Sequence, residues 1–156
     1  MKLRIALLLI IIAALTRLLP HPPNFTPLAA MGLFGAAYLQ RRWLALLDPF
    51  AALFLTYLFL NNVISGAYFT GFAWFTSFYI YAAMGLVVLI GWLFFQKSVT
   101  ATRVIGASLS ASFVFFLVSN FSTWAQTALY PKTFGGLIAC YTAGLPFFGN
   151  TVLGDF

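Results

Sequence analysis

The sequence predicts an all-α, polytopic transmembrane helical bundle of five to six helices, and three observations lead there. Of its 156 residues 63% are hydrophobic and only 6% charged, with a mean hydropathy of +1.00, whereas a soluble domain carries roughly 25% charged residues. At the roughly 20 residues that a helix needs to cross a bilayer, 156 residues leave room for five or six spans and short loops. Short polar or proline-rich segments separate them, and most basic side chains fall in alternate segments. Residues 1–156 leave no room for a second, soluble part and read as a single integral membrane domain.

The first span begins after Lys2 and Arg4 and follows the apolar run 5–15. A secretory signal starts the same way, but no small-x-small cleavage site precedes Arg17, so a retained helix is expected. Residues 17–27, Arg-Leu-Leu-Pro-His-Pro-Pro-Asn-Phe-Thr-Pro, hold the only histidine and four of the seven prolines. Proline fixes φ and lacks an N–H, so the chain should leave the hydrocarbon here and turn at a membrane surface. Thr26-Pro27 has the form of an N-cap with proline at the first helical position, which opens a second span to about Tyr38. Gln40-Arg41-Arg42-Trp43 then marks an interface. Asp48-Pro49 repeats the cap-and-proline signal and places the third span at 50–61, short enough to call for tilt or local thinning.

Residues 61–66 read as a polar turn, and an aromatic-rich fourth span is expected over 72–95, closed by the polar connection 96–103. The fifth span, 104–121, carries Gly106, Ala107, Ser108, Ser110, Ala111 and Ser112. These overlapping small-xxx-small pairs allow close helix approach, in the bundle interior or against a partner. After the polar stretch 122–133, the apolar run 134–148 is interrupted by Gly135, Gly136, Gly144 and Pro146. As a helix it would cover only about 22 Å, which predicts a short re-entrant helix. Residues 149–156 read as the start of a further span cut off at Phe156.

The charges orient this bundle. With the N-terminus cytoplasmic, Lys2, Arg4, Arg41, Arg42, Lys97 and Arg103 lie inside, and only Arg17 and Lys132 lie outside, as the positive-inside rule requires. The formal charge of +6 forms no basic face, so it gives no nucleic-acid footprint. The outward face then gathers Arg17, His21, Asn24, Asn61, Asn62, Trp124, Gln126, Tyr130 and Lys132, whose donors, acceptors, cations and rings suit a pocket for a small polar molecule. Each has a plainer alternative. Arg17 could snorkel to the headgroups instead of offering a fork to an anion. His21 could brace its own loop, Asn61 and Asn62 could cap the third helix, and Trp124 and Tyr130 could belong to an aromatic belt.

Other chemistries find little support. The only acids are Asp48 and Asp155, and this topology sets neither near His21, so no general acid-base or nucleophilic constellation assembles. No enzyme, and no cofactor, is therefore expected. No nucleotide-binding Gly-rich loop occurs, no ionisable group falls at a span centre for proton coupling, and a lone histidine with a lone Cys140 makes no metal site.

Larger blocks carry a resemblance: the segment from Arg17 through Pro27 and on to Tyr38, then Leu60-Asn61-Asn62-Val63-Ile64, Leu129-Tyr130-Pro131-Lys132-Thr133-Phe134-Gly135-Gly136-Leu137, Cys140-Tyr141, and Pro146-Phe147-Phe148-Gly149-Asn150-Thr151. Together these resemble a bacterial family of small membrane transport-type proteins of unknown function, itself similar to the substrate-binding S components of energy-coupling factor (ECF) transporters. The resemblance implies a six-helix protein of the bacterial inner (cell) membrane that captures a vitamin, a precursor or a metal ion at the extracytoplasmic face. It also implies docking on a transmembrane coupling subunit and its ATPases. The chain departs from the pattern by lacking an Ala-x-x-x-Ala repeat in the first helix and by carrying Tyr57 near the position of a family aspartate. A second reading, from a different class, is a non-transport scaffold that packs on another membrane protein through the small-residue fifth helix.

Overall fold

The computed structural model describes residues 3–39, 41–64, 71–75 and 77–156, which form helices and, among these residues, no strand. In chain order they are α1 (Leu3–Thr16), α2 (Leu28–Tyr38), α3 (Arg42–Phe59) continued by a π-helical turn (Leu60–Ile64), α4 (Phe78–Phe95), α5 (Ala101–Gln126) and α6 (Phe134–Asp155). By length and composition, α3 with its π turn, α4, α5 and α6 can each cross a membrane, and α1 and α2 are shorter apolar helices.

The shortest helix is the centre of the bundle, since α2 packs against all five others. It is apolar all round, as a buried helix must be, and its glycine removes a steric barrier to α4. A Cβ on Gly32 would meet Val87 Cγ1 at 2.8 Å. Helices α1 and α5 are two-faced in a different sense. On α1, Ala6, Ile10 and Ala14 are buried in one stripe while Leu8, Leu9 and Ile12 are exposed; on α5, Ala107, Ser108, Ala111 and Ser112 are buried while Ile105, Leu109 and Phe113 are exposed. An exposed aliphatic face of that extent suits lipid. The small residues of α5 pack inside the chain, where Ala107 and Ala111 join Ala29, Leu33 and Val87. Gly106 and Ser110, four residues apart on the same helix, are only partly buried.

Several boundaries differ from the sequence expectation, each for a physical reason. Asp48-Pro49 does not start a helix: α3 begins at Arg42 and runs through a fully buried Pro49. The apolar segment before it is already helical, and a bilayer interior offers no water to replace the helical hydrogen bonds. Nor is α6 a re-entrant piece followed by a new span. It is one helix through Pro146, and Gly136 and Gly144 within it serve close contact rather than breakage, Gly144 lying against the Asn120 side chain. Helix α5 extends past the expected end at 121 because Ser119, Asn120 and Thr123 return their polar groups to carbonyls of their own helix. Pro27 is the N-cap of α2 rather than its first residue, and no neighbouring side chain caps it. The fourth helix starts at Phe78, not 72. The expected turn at 61–66 is helical through Ile64, while 65–70, like Lys2 and Gln40, lie outside the described residues.

Candidate functional site

Helix α1 delivers Arg17 to the interior. The buried stripe Ala6, Ile10, Ala14 continues onto Arg17 in the turn that follows, where its N–H donates to Ala14 O at 3.2 Å. Arg17 does not snorkel: it is only 4% exposed. One terminal nitrogen donates to Thr56 Oγ1, whose hydroxyl is itself turned back onto Ala52 and Leu53 carbonyls in α3. The guanidinium carbon sits 4.5 Å from the centroid of the Tyr57 ring, a cation–π contact. Thr56 and Tyr57, adjacent on α3, thereby fix the plane of the fork. Its Nε is buried without a hydrogen-bond partner, as is the nearby Tyr81 hydroxyl.

After Arg17 the proline-rich segment folds over the bundle. Phe25 N–H donates to Pro22 O at 3.1 Å, His21 Nδ1 lies 2.9 Å from Pro22 O, and Asn24 takes a left-handed φ of 62°, a conformation asparagine tolerates better than most residues. Asn150 of α6 donates to Pro23 O at 3.0 Å and pins the loop.

The loop ends at the N-terminus of α2, whose first amides would be unsatisfied. Asp155 satisfies them. Its Oδ1 accepts from Ala29 N at 2.9 Å and Ala30 N at 3.2 Å, and its Oδ2 accepts from Ser112 Oγ at 2.7 Å. Gly154 makes the approach feasible, because a Cβ there would meet Thr26 N at 2.7 Å and Thr26 O at 2.9 Å. Ser112 lies roughly 17 Å from the Ala101 end of α5 and roughly 21 Å from its Gln126 end at about 1.5 Å rise per residue. The start of α2 is therefore tied, through Asp155, to the middle of α5's length rather than to either of its ends.

Between these parts lies a cavity of about 210 Å³, with Arg17, His21, Asn24 and Asp155 in its lining and Tyr57 and Phe116 among its walls. The sequence argument held Asp155 away from His21; the structure puts both in one lining, because the end of α6 returns to the start of α2. A second cavity of about 300 Å³, lined by Leu33, Phe34 and Phe95, is mostly apolar and also touches Asp155. The first cavity adds Arg17, His21, Asn24, Ser119 and Thr151 to Asp155 and is the stronger candidate for orienting a polar ligand.

The other sequence-predicted site residues fall elsewhere. Asn62 donates to Leu58 O at 2.8 Å and Ala73 O at 3.0 Å and accepts from Ala73 N at 2.8 Å, so it ties the segment before α4 to the end of α3. Asn61 is buried but outside the cavity lining. Trp124 Nε1 donates to Pro131 O at 2.9 Å, and Lys132 donates to the carbonyls of Trp124 and Thr127. These two close the α5–α6 connection, and Tyr130 between them does not line the cavity. Gln126 accepts from Ser77 and Ser122, both at 2.7 Å, locking α4 to α5. The residues missed were Thr56, Tyr57 and Asp155. For Tyr57 and Thr56 the signal was the stripe that carries Arg17 inward; for Asp155 there was none, its partners being 43 and 126 residues away.

No curated protein and no solved structure matches the chain. A family model described as a family of unknown function (DUF6580) matches residues 1–156, and the chain belongs to that family.

Proposed function

We propose that this membrane protein is the substrate-capture subunit of a micronutrient importer, binding a small solute from the extracytoplasmic side in the cavity between Arg17 and Asp155. The observation that carries the reading is the buried Arg17 fork facing a cavity beside the N-terminus of α2, which Asp155 ties to the middle of α5. Transporters place substrate sites near the bilayer midplane at the ends of short or broken helices, and α2 has that character. A cation held in such a place is expensive unless it is used. The proline-rich segment forms the lid-side wall, and the alternation of basic segments supports a cytoplasmic N-terminus in a bacterial cell membrane. With no nucleotide loop in the chain, uptake would be driven by a partner, for which the resemblance to ECF S components suggests a coupling subunit and ATPases. The lining does not recommend a metal ion as cargo, since it holds one imidazole and one carboxylate that is already bonded.

Native mass spectrometry of the full-length protein in mild detergent tests the reading. A retained small molecule is expected, and it should be lost in Ser119→Phe, which fills the cavity from α5. Absence of any retained molecule, together with no thermal shift from any candidate micronutrient, would overturn it.

A further inference from the structure

We infer that the ligand is a small organic monocarboxylate, its carboxylate on the Arg17 guanidinium and its apolar body against Tyr57, Ile80, Phe115 and Phe116; this rests on the capture reading and narrows it to a chemical class. Arg17 is 4% exposed, and a buried charge costs several kcal/mol unless a counter-charge meets it. Among the described residues none does. Asp155, the one acid in the lining, has Oδ1 engaged by two α2 amides and Oδ2 by Ser112. The unpartnered Nε leaves the fork with bonding capacity still to fill.

The form of the site selects the form of the anion. Thr56 and Tyr57 hold the guanidinium plane, and a planar fork matches the two oxygens of a carboxylate bidentately. One arginine balances one negative charge, whereas a phosphate monoester brings about −1.5 to −2 near neutral pH and would leave an uncompensated excess. Divalent cations are repelled by Arg17. The walls Tyr57, Ile80, Phe115 and Phe116 supply apolar and aromatic contact, while Asn24, Ser119 and Thr151 supply a few polar atoms. At about 210 Å³ the cavity is smaller than the roughly 300–1,000 Å³ of drug-sized sites, so the acid is a compact one.

The test is isothermal titration calorimetry and thermal shift on the full-length protein in detergent, with monocarboxylates of about five to twelve heavy atoms, a size below drug-like ligands, each paired with its neutral amide. Benzoate with benzamide and 3-methylbutanoate with its amide are the first pairs; inorganic phosphate and cobalt(II) chloride are the controls. Acids are expected to bind and their amides to bind at least tenfold more weakly. Arg17→Lys, which keeps the charge and loses the planar fork, should weaken the acids at least tenfold, and Arg17→Gln should remove their binding. Should the glutamine variant fail to fold, the lysine variant and the acid–amide comparison decide. Amides binding as tightly as acids, phosphate or cobalt(II) binding in their place, or a neutral molecule retained in native mass spectrometry would overturn the carboxylate and leave capture standing. No binding across the series with no retained molecule would remove both.

Discussion

The carboxylate of Asp155 caps the first turn of α2 from 126 residues away, accepting from Ala29 N at 2.9 Å and Ala30 N at 3.2 Å. A negative group at a helix N-terminus is favoured by the macrodipole as well as by the bonds themselves. Ala29 and Asp155 are both buried, so the arrangement holds the end of α6 to the start of α2. The same contact sets one wall of the Arg17 cavity, which makes fold stability and site geometry inseparable at this residue.

Replacing Asp155 should therefore cost more than an ordinary cap. Asp155→Ala leaves the Ala29 and Ala30 amides and the Ser112 hydroxyl without partners, and each buried unsatisfied group costs about 1–3 kcal/mol. A clear drop in melting temperature in detergent is expected. Asp155→Asn keeps an acceptor for the α2 amides and should lose less, so the order wild type, Asn, Ala in thermal unfolding checks the capping role. Equal melting of all three would show that the bonds contribute nothing.

Gly154→Ala and Gly149→Ala, five residues apart on α6, should act in opposite senses. The Cβ at 154 would meet Thr26 backbone atoms at 2.7 and 2.9 Å, which cannot swing aside, while at 149 nothing lies within 4 Å. Overpacking of the first kind costs about 1–3 kcal/mol, whereas relieving a helical glycine gains up to about 1 kcal/mol. Thermal unfolding of the two variants side by side reads the difference, and ligand retention should fall only in Gly154→Ala.

Asn62 is expected to be structural. Its side chain makes paired bonds with the Ala73 backbone, so Asn62→Ala should raise hydrogen exchange at the Ala73 amide and around 71–75. Ligand affinity should change by less than about threefold, or ~0.6 kcal/mol. A loss of binding as large as that of an Arg17 variant would instead place Asn62 at the ligand.

The helical membrane class was legible because composition and run length alone separate it from soluble folds. Proline and glycine misled the boundaries: Asp48-Pro49 and the Gly135 to Pro146 run carry stop signals calibrated in water, where freed backbone groups have a substitute partner, and α3 and α6 pass through them. Within the site, Arg17, His21 and Asn24 were legible as one contiguous polar segment. Trp124, Lys132 and Asn62 carry equally suitable chemistry, but each is consumed by backbone groups within 11 residues, which no count of polar side chains on a face reveals. Asp155 was hidden by the opposite circumstance, its role existing only in tertiary contact.

Asn24 separates the backbone demand of the loop from the chemistry of the cavity. Its φ of 62° is free of penalty for glycine, so Asn24→Gly should leave the melting temperature within a degree or two while removing one amide from the lining. A β-branched residue there is strained, and Asn24→Val should cost on the order of 1–3 kcal/mol. Bound-ligand affinity should fall in both variants, but only the valine should unfold early. If glycine at 24 bound as well as asparagine, the side chain would be serving the loop alone, and any polar atom of the ligand beyond the carboxylate on Arg17 would have to be met by Ser119 or Thr151 instead.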